Sequence, residues 1–207
     1  MSPLQQSLAA FTFSAALLTV TPGLDTALVL RTAASEGGRR AFAAALGICL
    51  GCLAWGALVA VGVGLILEAS QLAYLVLKWI GAAYLLYLGV RLILAPRGDA
   101  EVGEPPPALG SGWFVRGFLT NLLNPKVGAF YVSFLPQFVP AGSSVPGTTL
   151  LLAAIHAGLG LVWFLLLIGA TRPLARALRS ARVVRTLDRL TGAVLIFFGL
   201  KLAFGHR

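Results

Sequence analysis

Two charged residues lie deep in apolar stretches, each beside a proline. Thr21-Pro22-Gly23-Leu24-Asp25 interrupts the first stretch, and Asn121-Leu122-Leu123-Asn124-Pro125-Lys126 interrupts a later one. A bilayer tolerates a broken helix only where the freed backbone groups face protein or a water-filled cavity. Ionisable side chains at that depth are costly and mark binding or proton pathways. Asp25 has the chemistry to take and release a proton or to hold an ammonium group. Lys126 can balance Asp25 or bind a carboxylate. Thr21, Asn121 and Asn124 can cap freed backbone groups or touch a ligand, and both readings stay open. Beyond Pro22-Gly23 and beyond Pro125, a half-helix starts with unpaired N–H groups and the positive end of a dipole, an arrangement that holds carboxylates.

Three other residues could carry chemistry. His156 is a possible proton relay, although a lone histidine among Ala and Gly reads first as a packed one. Cys49 and Cys52 form a C-x-x-C pair, which can mean redox or metal work. Their neighbours Gly47 and Gly51 point instead to small side chains that allow close helix contact.

The elements that must position these residues are membrane helices. The chain has 207 residues, of which 58% are hydrophobic and 11% charged. A soluble fold of this length could not hide that much apolar surface, so lipid must be the solvent for much of it. Six stretches reach the ~20 residues a span requires, at about 7–30, 42–67, 72–94, 114–139, 148–170 and 187–204. The net charge of +9 would suit nucleic acid, but the arginines sit between apolar stretches, where the positive-inside rule places them. Nucleic-acid binding is therefore not expected. The loops around Arg31, Arg39 and Arg40, around Arg91, Arg97 and Arg116, and from Arg172 to Arg189 hold most of the 16 basic residues. These loops should be cytoplasmic, with both termini outside. The first apolar stretch has no basic residue before it, so it reads as a retained span rather than a cleaved signal.

Residues 96–112, with Asp99, Glu101, Glu104 and the run Pro105-Pro106-Pro107, read as a polar cytoplasmic linker. They divide the chain into repeats at 1–95 and 113–207. Residues 172–186 read as an amphipathic connection on the inner leaflet. The halves match in order. Ala83 to Leu92 aligns with Ala193 to Leu202 at a shift of 110, Gly51 and Trp55 align with Gly158 and Trp163, and the proline breaks align at a shift of 103. A repeat of three spans starts its second copy on the opposite side of the membrane, so the halves must be inverted. The fold expected is an all-α polytopic membrane protein with six transmembrane helices in two inverted three-helix repeats, helices 1 and 4 being broken. Paired broken helices in inverted repeats are a transporter signature, with the site near the midplane. Glycine-rich faces make a homodimer possible.

The chain resembles the lysine exporter (LysE/RhtB) family of amino-acid exporters. Thr21-Pro22-Gly23-Leu24-Asp25 matches an early Thr/Asn-Pro-Gly-Pro-Asp motif, with Leu24 in place of its second proline. The run Gly117-Phe118-Leu119-Thr120-Asn121-Leu122-Leu123-Asn124-Pro125-Lys126, continued by Phe134-Leu135-Pro136-Gln137-Phe138, is similar to the family's central motif. The resemblance implies export of amino acids or close derivatives across the bacterial inner membrane, driven by protons, with no cofactor. It implies a zwitterion held between the halves, its carboxylate near a half-helix start or Lys126 and its ammonium near Asp25, with Asp25 coupling to protons. On that reading the site comprises Thr21, Pro22, Gly23, Asp25, Asn121, Asn124, Pro125 and Lys126. The rivals are a metal-ion exporter, for which the scattered ligands Asp25, His156, Cys49 and Cys52 argue poorly, and a membrane scaffold. No nucleophile triad or phosphate loop suggests an enzyme.

Overall fold

The computed structural model describes residues 2–69, 71–95, 112–170 and 180–204. All regular structure among them is helical. Helix α1 (Pro3–Val20) starts with a capping box, in which Ser2 Oγ accepts from Gln5 N and Gln5 Oε1 accepts from Ser2 N, with Pro3 in the first turn. It stops where Pro22 supplies no N–H. α2 (Leu24–Ser35) then leaves at 51° to α1.

The next two helices are uninterrupted: α3 (Gly38–Ala69) and α4 (Gln71–Leu94). α5 (Trp113–Leu122) is short. A turn at Leu123-Asn124 separates it from α6 (Pro125–Ala129). A π-helical turn, Phe130–Phe134, and a 3-10 turn, Leu135–Phe138, complete this segment. Pro136 explains the loss of α geometry there, because it cannot donate to the carbonyl four residues back and its ring crowds that carbonyl. α7 (Val145–Gly169) starts on Ser144, whose Oγ accepts from Gly147 N. α8 spans Ala181–Phe204.

Two helical stretches, Gly38–Gly62 and Val145–Gly169, are each long and apolar enough to cross a membrane, and α1 with α2 passes the same test as one bent span. Many large apolar side chains face outward, among them Phe13, Leu58, Val61, Ile80 and Phe197. In water that would be a liability, but against lipid it is the expected outer face. The chain is a membrane protein.

Both proline breaks fall where the sequence places them. Some boundaries differ. The last helix starts at Ala181, six residues before Leu187, so residues 181–186 of the expected amphipathic connection belong to α8. The rest of that connection, 172–179, lies outside the described residues, as do residues 96–111 of the linker.

Glycine decides which helices touch. A Cβ on Gly47 would lie 1.9 Å from Phe114 O, and one on Gly117 would lie 2.0 Å from Ala44 O. α3 and α5 therefore meet backbone to backbone. α3 meets α7 at Gly56, where a Cβ would come 2.3 Å from the Ala153 side chain. α4 meets α8 reciprocally. Cβ atoms on Gly89 and Gly192 would each lie 2.7 Å from the other's carbonyl oxygen, while Gly199 rests on Ala82 O and Leu86. The positions in contact run from Ala82 to Gly89 along α4 as they run from Gly199 back to Gly192 along α8, so the pair is antiparallel. The glycine richness of α7 has a different outcome. Gly158, aligned with Gly51, has open space around it, whereas Gly51 is pressed against the Asn121 side chain. The core joins Phe11 of α1, Phe130, Tyr131, Phe134 and Phe138 of the irregular segment, and Phe198 of α8. The Phe11–Phe138 and Phe134–Phe198 ring centroids are 5.3 and 4.6 Å apart.

Candidate functional site

The two breaks meet. Pro22 has no N–H to give Leu18 O, its partner in a continuous helix, and the bend also frees Thr21 O. Lys126, one residue past the second proline, reaches across and donates from Nζ to Leu18 O at 3.2 Å and to Thr21 O at 3.0 Å. Its ammonium therefore closes the open end of α1. Thr21 Oγ1 is satisfied locally by Leu17 O and is also 2.6 Å from Thr191 Oγ1 of α8.

The second break is capped by its own asparagine. Asn124 Oδ1 accepts from Lys126 N at 3.1 Å, in the manner of an N-cap, with Pro125 next in the first turn of α6. Asn124 N turns back to Asn121 O at 3.0 Å, the carbonyl that Pro125 cannot serve.

Asp25 stands in the first turn of α2, whose cap residue Gly23 supplies no side chain. Both of its carboxylate oxygens accept from the other break: Oδ2 from Asn121 Nδ2 at 2.8 Å and Oδ1 from Asn124 Nδ2 at 3.3 Å. Asn121 is fully buried and also donates to Cys52 Sγ at 3.5 Å. Its Oδ1 has no hydrogen-bond partner. Turning the amide over would set that oxygen against the Asp25 carboxylate, so the acid fixes the orientation.

Thr21, Gly23, Asp25, Asn124 and Lys126 line a cavity of about 50 Å³, together with Cys49 and Cys52 of α3 and His156 of α7. The space suits a few waters, and its walls offer a carboxylate, an ammonium and an imidazole. The expected site residues are thus brought together by the fold, Pro22, Gly23 and Pro125 contributing as backbone that makes the breaks.

Several residues here were not legible as site residues. The cysteines do pack closely, since Cys49 Sγ is 3.5 Å from Ala157 O, yet both also face the cavity. His156 is both packed and cavity-lining: Nδ1 lies 3.0 Å from Tyr131 Oη. Asp188 of α8, between Arg185 and Arg189 in the sequence, is fully buried, whereas Asp25 is only part-buried. The three- and four-residue spacing of Val184, Asp188, Thr191, Leu195 and Phe198, all buried, is the signal that would have found both Asp188 and Thr191. Among the described residues, no group of three or more His, Cys, Asp or Glu is arranged to hold a metal ion.

Comparison with known proteins agrees with this architecture. The family model for LysE type translocators matches residues 16–206. An uncharacterized membrane protein of Pseudomonas aeruginosa is 34% identical over 191 residues, 88% of each chain. A leucine efflux protein of an Enterobacter species is 27% identical, over 95% of this chain and 94% of its own. A homoserine/homoserine lactone efflux protein of Salmonella typhimurium is also 27% identical, over 94% of each. No solved structure matches. The resemblance carried by the two proline motifs is therefore confirmed along nearly the whole length, and the chain belongs to the LysE type translocator family, whose members are transporters rather than enzymes.

Proposed function

We propose that this translocator exports amino acids or close derivatives from the cytoplasm across a bacterial inner membrane in exchange for protons. The observation that carries the reading is the Asp25 carboxylate, held by Asn121 and Asn124 of the opposite break and facing an internal cavity. An acid in that place can exchange a proton for a substrate ammonium, so that each displaces the other. The relatives named for leucine efflux and for homoserine or homoserine lactone efflux support the substrate class. In its present volume the cavity holds water and not an amino acid, so the two halves must part for substrate to enter.

Six spans in two inverted repeats fit the same reading. The 110-residue shift maps Gly89 onto Gly199, Gly192 onto Ala82 and Ile196 onto Leu86. The contacts of Gly89 with Gly192 and Ile196 thereby become those of Gly199 with Ala82 and Leu86, and both sets exist. A pair of antiparallel helices that exchanges into itself supports a two-fold axis in the membrane plane. The arginine distribution supports cytoplasmic basic loops and external termini.

The test is proton-driven uptake of radiolabelled amino acids into inverted vesicles. Asp25→Asn should abolish accumulation against a gradient. Undiminished accumulation in that variant would remove Asp25 from the coupling role.

A further inference from the structure

A zwitterion needs a donor for its carboxylate as well as an acceptor for its ammonium. The expected donor was a half-helix start or Lys126, and two of the three N–H groups of that ammonium already serve Leu18 O and Thr21 O. His156 lines the same cavity as Asp25, from a different helix. Its ring is buried, and Nδ1 is 3.0 Å from Tyr131 Oη.

The direction of that hydrogen bond follows from its surroundings. Tyr131 is fully buried in the π-helical turn, next to the ring of Phe130. A buried hydroxyl that fails to donate wastes its proton. The polar groups at Tyr131 are His156 Nδ1 and the Cys52 thiol. An imidazole nitrogen is the better acceptor, since thiol sulfur accepts only weakly. Given to the better acceptor, Nδ1, the tyrosine proton leaves the imidazole with its own proton on Nε2. That leaves an Nε2–H donor on the ring of a cavity-lining residue.

We propose that His156 binds the substrate carboxylate through Nε2–H, with Tyr131 as the positioning residue that holds the tautomer. The site then selects ligands with a free carboxylate and an ammonium, the latter going to Asp25. The proposal rests on the amino-acid export reading and adds to it which side chain recognises the acid end.

The experiment uses the full-length protein in lipid nanodiscs and calorimetric titration. A panel of proteinogenic amino acids with homoserine identifies a ligand of the wild type, which is then compared with its own carboxamide. Wild type should prefer the acid. His156→Leu should weaken the acid by about tenfold or more, the worth of one hydrogen bond to a charged group, and leave the amide unchanged. Tyr131→Phe keeps the ring and the packing, and should weaken the acid several-fold, again sparing the amide. His156→Gln, which restores an N–H, should recover part of the loss. If no amino acid binds the wild type, the export reading falls and this inference with it. If wild type does not distinguish acid from amide, or if both His156→Leu and Tyr131→Phe keep the preference, His156 is not the carboxylate donor although export stands. Should His156→Leu bind neither ligand, Tyr131→Phe decides between these outcomes.

Discussion

Replacing Lys126 with methionine separates two roles for its ammonium, holding the break in α1 together and meeting substrate. The side chain keeps its length and loses its donors. Leu18 O and Thr21 O, both on buried residues, are then stranded. In a water-soluble interior each orphaned acceptor would cost about 1–3 kcal/mol. Within membranes, single polar contacts average about 0.6 kcal/mol and reach about 1.7 kcal/mol. Two contacts from the one charged ammonium then come to about 2 kcal/mol on the membrane scale. For a chain of this length each kcal/mol moves the melting temperature by about 2–4 °C, so Lys126→Met should melt about 4–8 °C lower. The assay is thermal unfolding in nanodiscs, run as a cycle with Pro22→Ala. Alanine returns an N–H to Leu18 O, so in that background the Lys126→Met penalty should fall by about half. Lys126→Arg should keep most of the stability. An unchanged melting temperature in Lys126→Met, with substrate affinity lost, would refute the capping argument and return Lys126 to the ligand.

Two further outcomes test the packing around the site. Gly117→Val should destabilise by about 3 kcal/mol or prevent assembly, because even its Cβ would collide with Ala44 O on α3. Gly158→Ala, with nothing within 4 Å, should leave the melting temperature unchanged or slightly raised; comparable losses in both variants would show that glycine contacts do not set the helix pairing. Thr21→Val and Thr191→Val should each cost about 1 kcal/mol, and the double variant less than the sum, since both remove the same 2.6 Å hydroxyl pair. Strict additivity in that cycle would mean the two hydroxyls are not partners.

The parts of this protein that were legible in the sequence are those where a local rule has one solution. Proline without an N–H breaks a helix wherever it sits inside one, so Pro22 and Pro125 placed both breaks. The need to keep charge out of lipid tied Asp25 and Lys126 to those breaks. What each side chain touches was not legible, because that depends on helices far apart in sequence. Lys126 read as a counter-ion to Asp25 or as a carboxylate-binding group, and only the position of Leu18 O explains its actual bonds. Cys52 and His156 looked like packing residues and are so, yet the same packing turns them toward the cavity. Asp188 was missed for a different reason. Its flanking arginines dominated the reading, while the buried spacing of α8 continued through it unnoticed.

The bend in α1 is fastened by a residue that belongs to another segment. Two carbonyls that the chain would ordinarily satisfy from within its own helix are held by a tether about one hundred residues away, on the far side of the second break. A joint built this way cannot flex in isolation. Any movement that draws α6 from α1 must first unfasten Lys126 from Leu18 and Thr21, and any straightening of α1 pushes against α6. The two segments are therefore geared: displacement of one is transmitted as displacement of the other, beside Asp25.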